Sequence, residues 1–578
     1  MENVLKKIAD AIVGTEFENK TFAVGGYVRD LLMKRQTEDL DIVVNLKNGG
    51  IKLAKFLFEK GISSKPVVYE NFGTAMVKIA GYQIEFVMTR RESYRDKNRK
   101  PEVEFGTLEE DVFRRDFTIN SLLLNISANE ILDLTGKGKS DIQNGIIRST
   151  SDPKIIFGED PLRMLRAVRF AVQLDFEIEK ETQKGIIENA SKLQFISAER
   201  KRDELVKILL SPRPAKGIKI LDELHLLKFL IPEMENLKGL EQGKYHYLDA
   251  FEHTLLVLEN TPPKVILRLS ALLHDIGKPQ TMISDEKGVH FYNHEIVGAD
   301  LAAKIMRRLK FSGEQIKRVK ILIKNHMRLK NFGKFGEKAS DKALRKLWRD
   351  LGENLELLLE LIHADNLVHA PDFAMPEQIP NIRKRLQKVT NNNKLPKLPL
   401  NGKDIMLYLR ISQNPEVGRL KKKAEEIWLE HPDWGKEKIL NQLKEEVKME
   451  KQESKIAKKV HDAVVKAIHT GEDVGKAVKN VVTEIISTSK DEELNTKEKV
   501  SKLANEALQG AKEGYTKAQP SLEEFLKKTS KNISETLKTN LPKVTQFTKE
   551  FFEGLVEGAK DVIEEKKEAK KEEDKSEE

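Results

Sequence analysis

The chain has 578 residues, a formal charge of +9 and no cysteine. That length exceeds what one hydrophobic core serves and predicts roughly three to four domains. Without cysteine there are no disulfides, thiolate metal ligands or cysteine nucleophiles, so any metal has to be held by His, Asp or Glu.

The first residues, "MENVLKKIADAIVG", read as a charged amphipathic helix without the apolar core of a signal peptide. No stretch of the chain is apolar for long enough to span a membrane, and a cytoplasmic location is the expectation. Residues 1–150 alternate the β-rich runs "TFAVGG", "LDIVVN", "TAMVKIA", "YQIEFVM" and "INSLLLNI" with helical segments, which predicts a small mixed α/β head. Beyond about residue 153 strands nearly vanish. Apolar residues then recur at helical spacing, predicting a helical neck over 151–215 and an α-helical body over 216–447, so the fold class is α+β. From 448 to 578 the composition shifts to Lys, Glu, Ala, Ser, Thr and Val with few aromatics, as in an amphipathic helical or partly disordered tail. This tail is a candidate for binding a protein partner or a membrane surface. Its balanced charges weaken any pull toward anionic lipid, and a solubilising extension is the plainer reading.

The head carries the first chemical signal, "FAVGGYVRDLLMKRQTEDLDIVV". Residues two apart on a strand share a face, so Asp39 and Asp41 present both carboxylates together while Leu40 turns to the core. Two carboxylates side by side call for cations, and paired magnesium ions would relieve the repulsion while activating a hydroxyl and steadying a leaving phosphate. Gly25 and Gly26 allow close backbone approach, and Arg29 adds a planar charged fork.

The order Gly-Gly-x-Val-Arg-Asp followed by Asp-x-Asp resembles the signature of the class II nucleotidyltransferases, the group of CCA-adding enzymes and bacterial poly(A) polymerases. Further segments carry the same resemblance. "RRDFTINSL" is similar to the ribose-recognition motif, which implies nucleotide contacts for Arg114, Arg115, Asp116 and Asn120. "LDLTGKGKSD" matches the hinge motif at Asp133, Gly136 and Asp141, and "ISAERKRDEL" matches the last motif at Glu199 and Arg200. In "GEDPLRMLRAVRF", Arg163, Arg166 and Arg169 are three apart and read as one cationic helical face, which needs something anionic opposite. The resemblance implies that Asp160 and Arg163 template the base of incoming CTP or ATP, with Arg166 and Arg169 holding the nucleotide. Glu85 is the candidate third catalytic carboxylate. Lys34 and Asp175 depart from the family, which usually has glycine there.

A second constellation lies between 253 and 365. His253, His274, Asp275, His294, His326 and Asp365 are ligand types for a divalent ion, with the adjacent His-Asp pair able to supply two. The pattern resembles the HD phosphohydrolase superfamily, predicting an HD domain over about 249–370. It implies a divalent transition metal on His253, His274, Asp275 and Asp365, with His294 and His326 serving a second ion or phosphate.

Together these resemblances imply a transferase that adds CCA to tRNA 3′ ends from CTP and ATP using magnesium, with a second, hydrolytic site. Basic runs such as "RRLK", "KRVK" and "RKRLQK" are candidates for tracking RNA phosphates. Two alternatives stand: a poly(A) polymerase or A-adding enzyme of the same family, and an HD-type phosphohydrolase that uses the head only to bind RNA.

Overall fold

The protein is described from a computed structural model that covers residues 1–37, 40–70, 73–93, 102–243, 246–286, 288–390 and 398–448. Asp39 and the 448–578 tail, apart from Lys448, lie outside these residues.

Among the described residues, nine strands precede residue 133: β1 (Thr21–Val24), β2 (Leu40–Val44), β3 (Val67–Tyr69), β4 (Thr74–Ile79), β5 (Tyr82–Met88), β6 (Arg90–Ser93), β7 (Glu102–Phe105), β8 (Leu123–Asn125) and β9 (Glu130–Leu132). Seven of them join in one sheet, in the order β3-β4-β5-β2-β1-β8-β9, while β6 and β7 pair separately as a hairpin. All neighbours are antiparallel except β2 and β5, which run parallel with Asp41 opposite Glu85. The period-2 alternation is plain in β2, where Leu40 and Ile42 are buried and Asp41 between them is exposed. Helices α1 (Glu2–Ile12) and α3 (Gly49–Glu59) cover one face with Ile8, Ile12, Leu53 and Leu57, packed into one core with Ile42, Ile84 and Phe86. Each such side chain contributes about 1.5–3 kcal/mol by leaving water. The short α2 (Gly26–Leu32) follows β1 directly. Helices α4 (Leu108–Phe113) and α5 (Gly138–Asn144) lie between and after the later strands.

Helices then dominate. The neck has α6 (Pro153–Glu159), α7 (Leu162–Leu174), α8 (Lys180–Asn189), α9 (Ala198–Leu209) and α10 (Pro214–Glu223). The body follows with α11 (Ala250–Glu259), α12 (Val265–Leu273), α13 (Lys278–Thr281), α14 (His294–Arg308), α15 (Gly313–Asn325), α16 (Asp341–Leu351), α17 (Leu355–Val368) and α18 (Gln378–Val389). A single hydrophobic cluster runs from Phe117 and Phe157 through Val168 and Leu205 to Leu272 and Leu358, so neck and body share a core. Strands recur in two places: β10 (Ile146–Ile147) pairs with β11 (Glu177–Ile178), and β12 (Met282–Asp285) with β13 (Gly288–Phe291). The described residues 398–448 belong to a separate unit, in which α19 (Gly402–Leu409) packs against α20 (Pro415–Glu430). Among the described residues no helix is long and apolar enough to cross a membrane.

The two departures from the family pattern have a common geometry. Lys34, after α2, and Asp175, after α7, have φ of 55° and 59°, the left-handed region that glycine enters freely. The backbone keeps the helix-terminating conformation although the residue changed, at a cost of about 1–2 kcal/mol that aspartate bears more easily than lysine.

Candidate active site and metal centre

The glycine turn and the acidic strand meet in one cavity of about 450 Å³ between head and neck. Gly25 has φ of 69°, the left-handed region that glycine enters freely, and this carries the β1–α2 turn beside Asp41, whose Oδ2 would lie 3.8 Å from a Cβ there, an ordinary contact. Gly25, Gly26, Arg29, Asp41, Arg114, Arg115, Asp116, Asn120, Asp160, Arg163 and Arg166 all line the cavity. Leu162, Phe170 and Arg200 complete the wall.

Asp41 and Glu85 stand side by side on the parallel strands β2 and β5. Burial, and next the Asp41 carboxylate, push the Glu85 carboxyl above its ordinary value, while Arg90 opposes. Two carboxylates placed on adjacent strands in this way are a donor set that a divalent cation fits.

A chain of charged hydrogen bonds then crosses from head to neck. Arg29 donates to Asp30 Oδ1 at 2.8 Å and to Asn120 Oδ1 at 2.9 Å. Asn120 donates to Asp116 Oδ1 at 3.3 Å, and Arg166 on α7 donates to Asp116 Oδ2 at 2.7 Å. Burial alone would raise the Asp116 carboxyl, but the Arg166 guanidinium and these hydrogen bonds hold it below the usual carboxylate range. The ring of Phe170 underlies the junction, with Arg29, Arg166 and Arg169 at 5.4, 5.3 and 4.4 Å from its centroid.

Not every expected residue reaches the cavity. Arg169 is absent from the wall and pairs with Glu204 of α9 at 2.8 Å. Three residues advance a helix about 60° short of a full turn, so Arg169 has drifted about 120° from Arg163. The template pair is engaged within the protein: Asp160 accepts from the Leu162 amide at 3.2 Å and pairs with Arg200 at 3.0 Å, and Arg163 donates to the Ile156 carbonyl at 3.3 Å. Arg114 and Arg115 both lean on Asp111 of α4, which is fully buried. Asp111, Phe170 and Glu204 were not singled out in the sequence, where no local pattern separates them from ordinary helical positions.

The second constellation gathers at the heart of the body. His253 comes from α11, His274 and Asp275 from the end of α12, His294 from the start of α14, His326 from just past α15 and Asp365 from α17. All six are buried. They form two groups whose ligand atoms lie within 4.8 Å of one another: His253, His274 and Asp365, and Asp275, His294 and His326. Asp275 joins them, with Oδ2 at 3.1 Å from His274 Nε2 and Oδ1 at 3.4 Å from His294 Nε2. A Cβ on Gly277 would meet the His294 carbonyl oxygen at 2.4 Å, so glycine there lets α14 press onto the His-Asp turn.

The imidazoles are oriented for metal. His274, His294 and His326 direct Nδ1 to the carbonyls of Ala271, Phe291 and Ile323 at 2.8, 2.8 and 2.6 Å. Those partners assign the proton to Nδ1 and turn the Nε2 lone pairs inward. His274 Nε2 is buried and meets no donor, its near polar neighbour being the acceptor Asp275 Oδ2 at 3.1 Å, which suits a metal-ligating atom. Burial depresses His253, His294 and His326, the last to about 3. His274 goes the other way: burial opposes, but Asp275 beside it raises it. Burial works against ionised Asp275 and Asp365 too, yet His274 and Lys278 around Asp275, and His253 and His369 around Asp365, hold both well below the usual range. Lys278, whose Nζ is 2.6 Å from Asp275 Oδ2, was missed in the sequence although it stands one turn after the aspartate in "HDIGK". His246 and His369 were missed as well, their rings 4.5 and 6.2 Å from that of His253.

Comparison with known proteins follows the same division. Residues 21–148 match the model of the poly A polymerase head domain, 175–238 that of the probable RNA and SrmB-binding site of polymerase A, and 245–364 that of the HD domain. These matches define a nucleotidyltransferase with an HD domain behind it. The chain is 33% identical over 329 residues to the A-adding tRNA nucleotidyltransferase of Deinococcus radiodurans, covering 54% of this chain and 73% of that protein. It is 32% identical over 411 residues to the CC-adding tRNA nucleotidyltransferase of Thermus thermophilus, covering 69% of this chain and 87% of the other. The fold is that of the Bacillus stearothermophilus CCA-adding enzyme in complex with CTP, with a TM-score of 0.56 at 22% identity, covering 78% of this chain and 98% of that one. The chain belongs to the tRNA nucleotidyltransferase family and is an enzyme of nucleotidyl transfer to tRNA.

Proposed function

We propose that the enzyme adds C, C and A in turn to tRNA 3′ ends from CTP and ATP. The observation that carries this reading is the convergence of the nucleotide-binding residues named above, all but Arg169, on one cavity beside Asp41. Its volume of about 450 Å³ falls in the range that holds a small ligand. In the reaction the RNA 3′ oxygen bonds to the α-phosphorus, the bond from that phosphorus to the bridging oxygen breaks, and pyrophosphate leaves. The hydroxyl proton leaves to solvent. Asp41, Glu85 and Asp39 would hold magnesium, which when bound lowers the pKa of the attacking hydroxyl and offsets charge on the leaving phosphate. Arg29, Arg114 and Arg115 bind the triphosphate and sugar, Asn120 orients Arg29 and is itself held by Asp116, and Asp160 and Arg163 pair with the base edge. Arg166, fixed by Asp116, supports the template from α7.

Three RNAs supplied with CTP and ATP test the reading. A tRNA lacking its last three nucleotides is expected to gain CCA, one ending in CC to gain a single A, and an unstructured RNA to gain nothing. Extension by A alone would favour a second reading, an A-adding enzyme, which the Deinococcus relative supports. Long A tails on unstructured RNA would indicate a poly(A) polymerase. In the same assay Asp160→Ala is expected to lose at least tenfold of the preference for CTP and ATP over UTP and GTP, because its carboxylate can no longer accept from the base. Unchanged selection in that variant would contradict the template role.

For the body, the reading is a metal-dependent phosphohydrolase acting on terminal or cyclic phosphates. His253, His274 and Asp365 would hold one divalent transition metal and His294 and His326 a second, with Asp275 between them. Such ions supply a polarised phosphoryl oxygen and a nucleophilic water at neutral pH. Lys278 brings a further cation to the same place.

A further inference from the structure

Asp111 is assigned no role by the reading above, yet it holds two arginines of the cavity wall. It is the fourth residue of α4, a helix fastened at its start by a reciprocal cap between Thr107 and Glu110. Its side chain is fully enclosed. Each oxygen serves one arginine. Oδ1 accepts from Arg114 Nη2 at 2.6 Å and Nε at 3.1 Å, and Oδ2 accepts from Arg115 Nη2 at 2.8 Å and Nε at 3.2 Å. Oδ1 also accepts the Arg90 amide at 3.3 Å, while Arg114 Nε reaches the Arg90 carbonyl at 3.2 Å. Arg90 is the first residue of the β6–β7 hairpin.

One carboxylate therefore fixes the Nε–Nη2 edge of two planar forks at once, so the opposite edge of each faces away from it, and both arginines line the cavity. The two cations in turn keep Asp111 ionised: burial would raise its carboxyl, but Arg115 and Arg114 lower it further than burial raises it.

We propose that Asp111 is a positioning residue for nucleotide binding, setting Arg114 and Arg115 together against the sugar and phosphate end of the incoming nucleoside triphosphate and tying them to the root of the β6–β7 hairpin. The proposal rests on the nucleotide-binding reading of the cavity. Asparagine keeps the shape but has one acceptor oxygen and one amide that only donates. Whichever way it turns, one guanidinium faces a donor and loses its hold.

The test is equilibrium binding of CTP with magnesium to the full chain, alongside steady-state addition to tRNA. D111N is expected to raise the CTP dissociation constant and KM about tenfold or more while kcat at saturation stays within about threefold. It should also narrow the preference for CTP over dCTP. If Asp111 acts through the arginines, D111N combined with R115Q binds CTP no more weakly than the worse single variant. D111E retains both acceptor oxygens and is expected to recover most of the affinity, which carries the test if D111N lowers the melting temperature. Binding by D111N within twofold of the wild type, additive losses in the double variant, or D111E as weak as D111N would each overturn the proposal while leaving the cavity reading intact. A wild-type chain that binds neither CTP nor ATP would instead remove the cavity reading and this proposal with it.

Discussion

Asp41→Ala is expected to lower nucleotide addition by about three orders of magnitude or more while leaving the melting temperature within about 2 °C. The two halves of this prediction have separate physical grounds. Asp41 is exposed at the end of β2, and its neighbours Leu40 and Ile42, not its own carboxylate, bury surface in the head core. Removing it also relieves the repulsion that raises Glu85, so folding has little to lose. Catalysis loses much more. In nucleotidyl transfer little covalent work falls to the protein, and positioning and charge compensation supply most of the rate. The other two carboxylates of the wall, Asp116 and Asp160, are each engaged by an arginine, so neither replaces the one that anchors that compensation. Primer-extension assays on a tRNA lacking its end, run with calorimetric melting, check both halves. Turnover within about tenfold of the wild type would remove the assignment.

The second large effect is expected at Asp275. Asp275→Ala should abolish hydrolysis of a nucleoside 2′,3′-cyclic phosphate in the presence of a divalent transition metal, and should lower metal content as read by elemental analysis. Asp275 belongs to the group of His294 and His326 and also reaches the other, with one oxygen toward His274 and the other toward His294. Its loss also removes the carboxylate paired with the buried Lys278 ammonium, leaving it the Gln242 side chain and the face of Phe291. An unpaired buried cation costs about 3–5 kcal/mol, so this variant should be less stable as well as inactive. Asp275→Asn separates the effects, since the amide oxygen can still accept from Lys278 while the charge that holds a metal is gone. Nucleotide addition by Asp275→Asn should be unchanged. Cyclic phosphate hydrolysis that survives in both variants would contradict the hydrolytic reading of the body.

What the sequence disclosed and what it did not divide along a physical line. Features set by neighbours in the chain were legible. Alternation in "LDIVV" predicted a buried Leu40 beside an outward Asp41, and β2 has that pattern. Ligand types in a chain without cysteine predicted the six residues that the body gathers into two groups. Features set by distant contacts were not. Asp111 reads as one more acidic residue in "LEEDVF", and only the return of Arg114 and Arg115 over it shows why it is buried. Arg169 was grouped with Arg163 and Arg166 by a spacing of three, a shorthand that fails over two steps because the helix repeats at 3.6. Its partner Glu204 lies on another helix. The β12–β13 hairpin fell in a region read as helical, because "MISD" and "GVHF" are too short to announce strands and too exposed to show alternation.

The account depends on divalent ions being held where Asp41 and Glu85 stand together beside the nucleotide cavity. Anomalous diffraction from crystals soaked with manganese and a non-hydrolysable CTP analogue measures this directly. The predicted result is a manganese peak about 2 Å from a carboxylate oxygen of Asp41, shared with the analogue's phosphates. A CTP analogue bound in the cavity with no peak at Asp41 would contradict it.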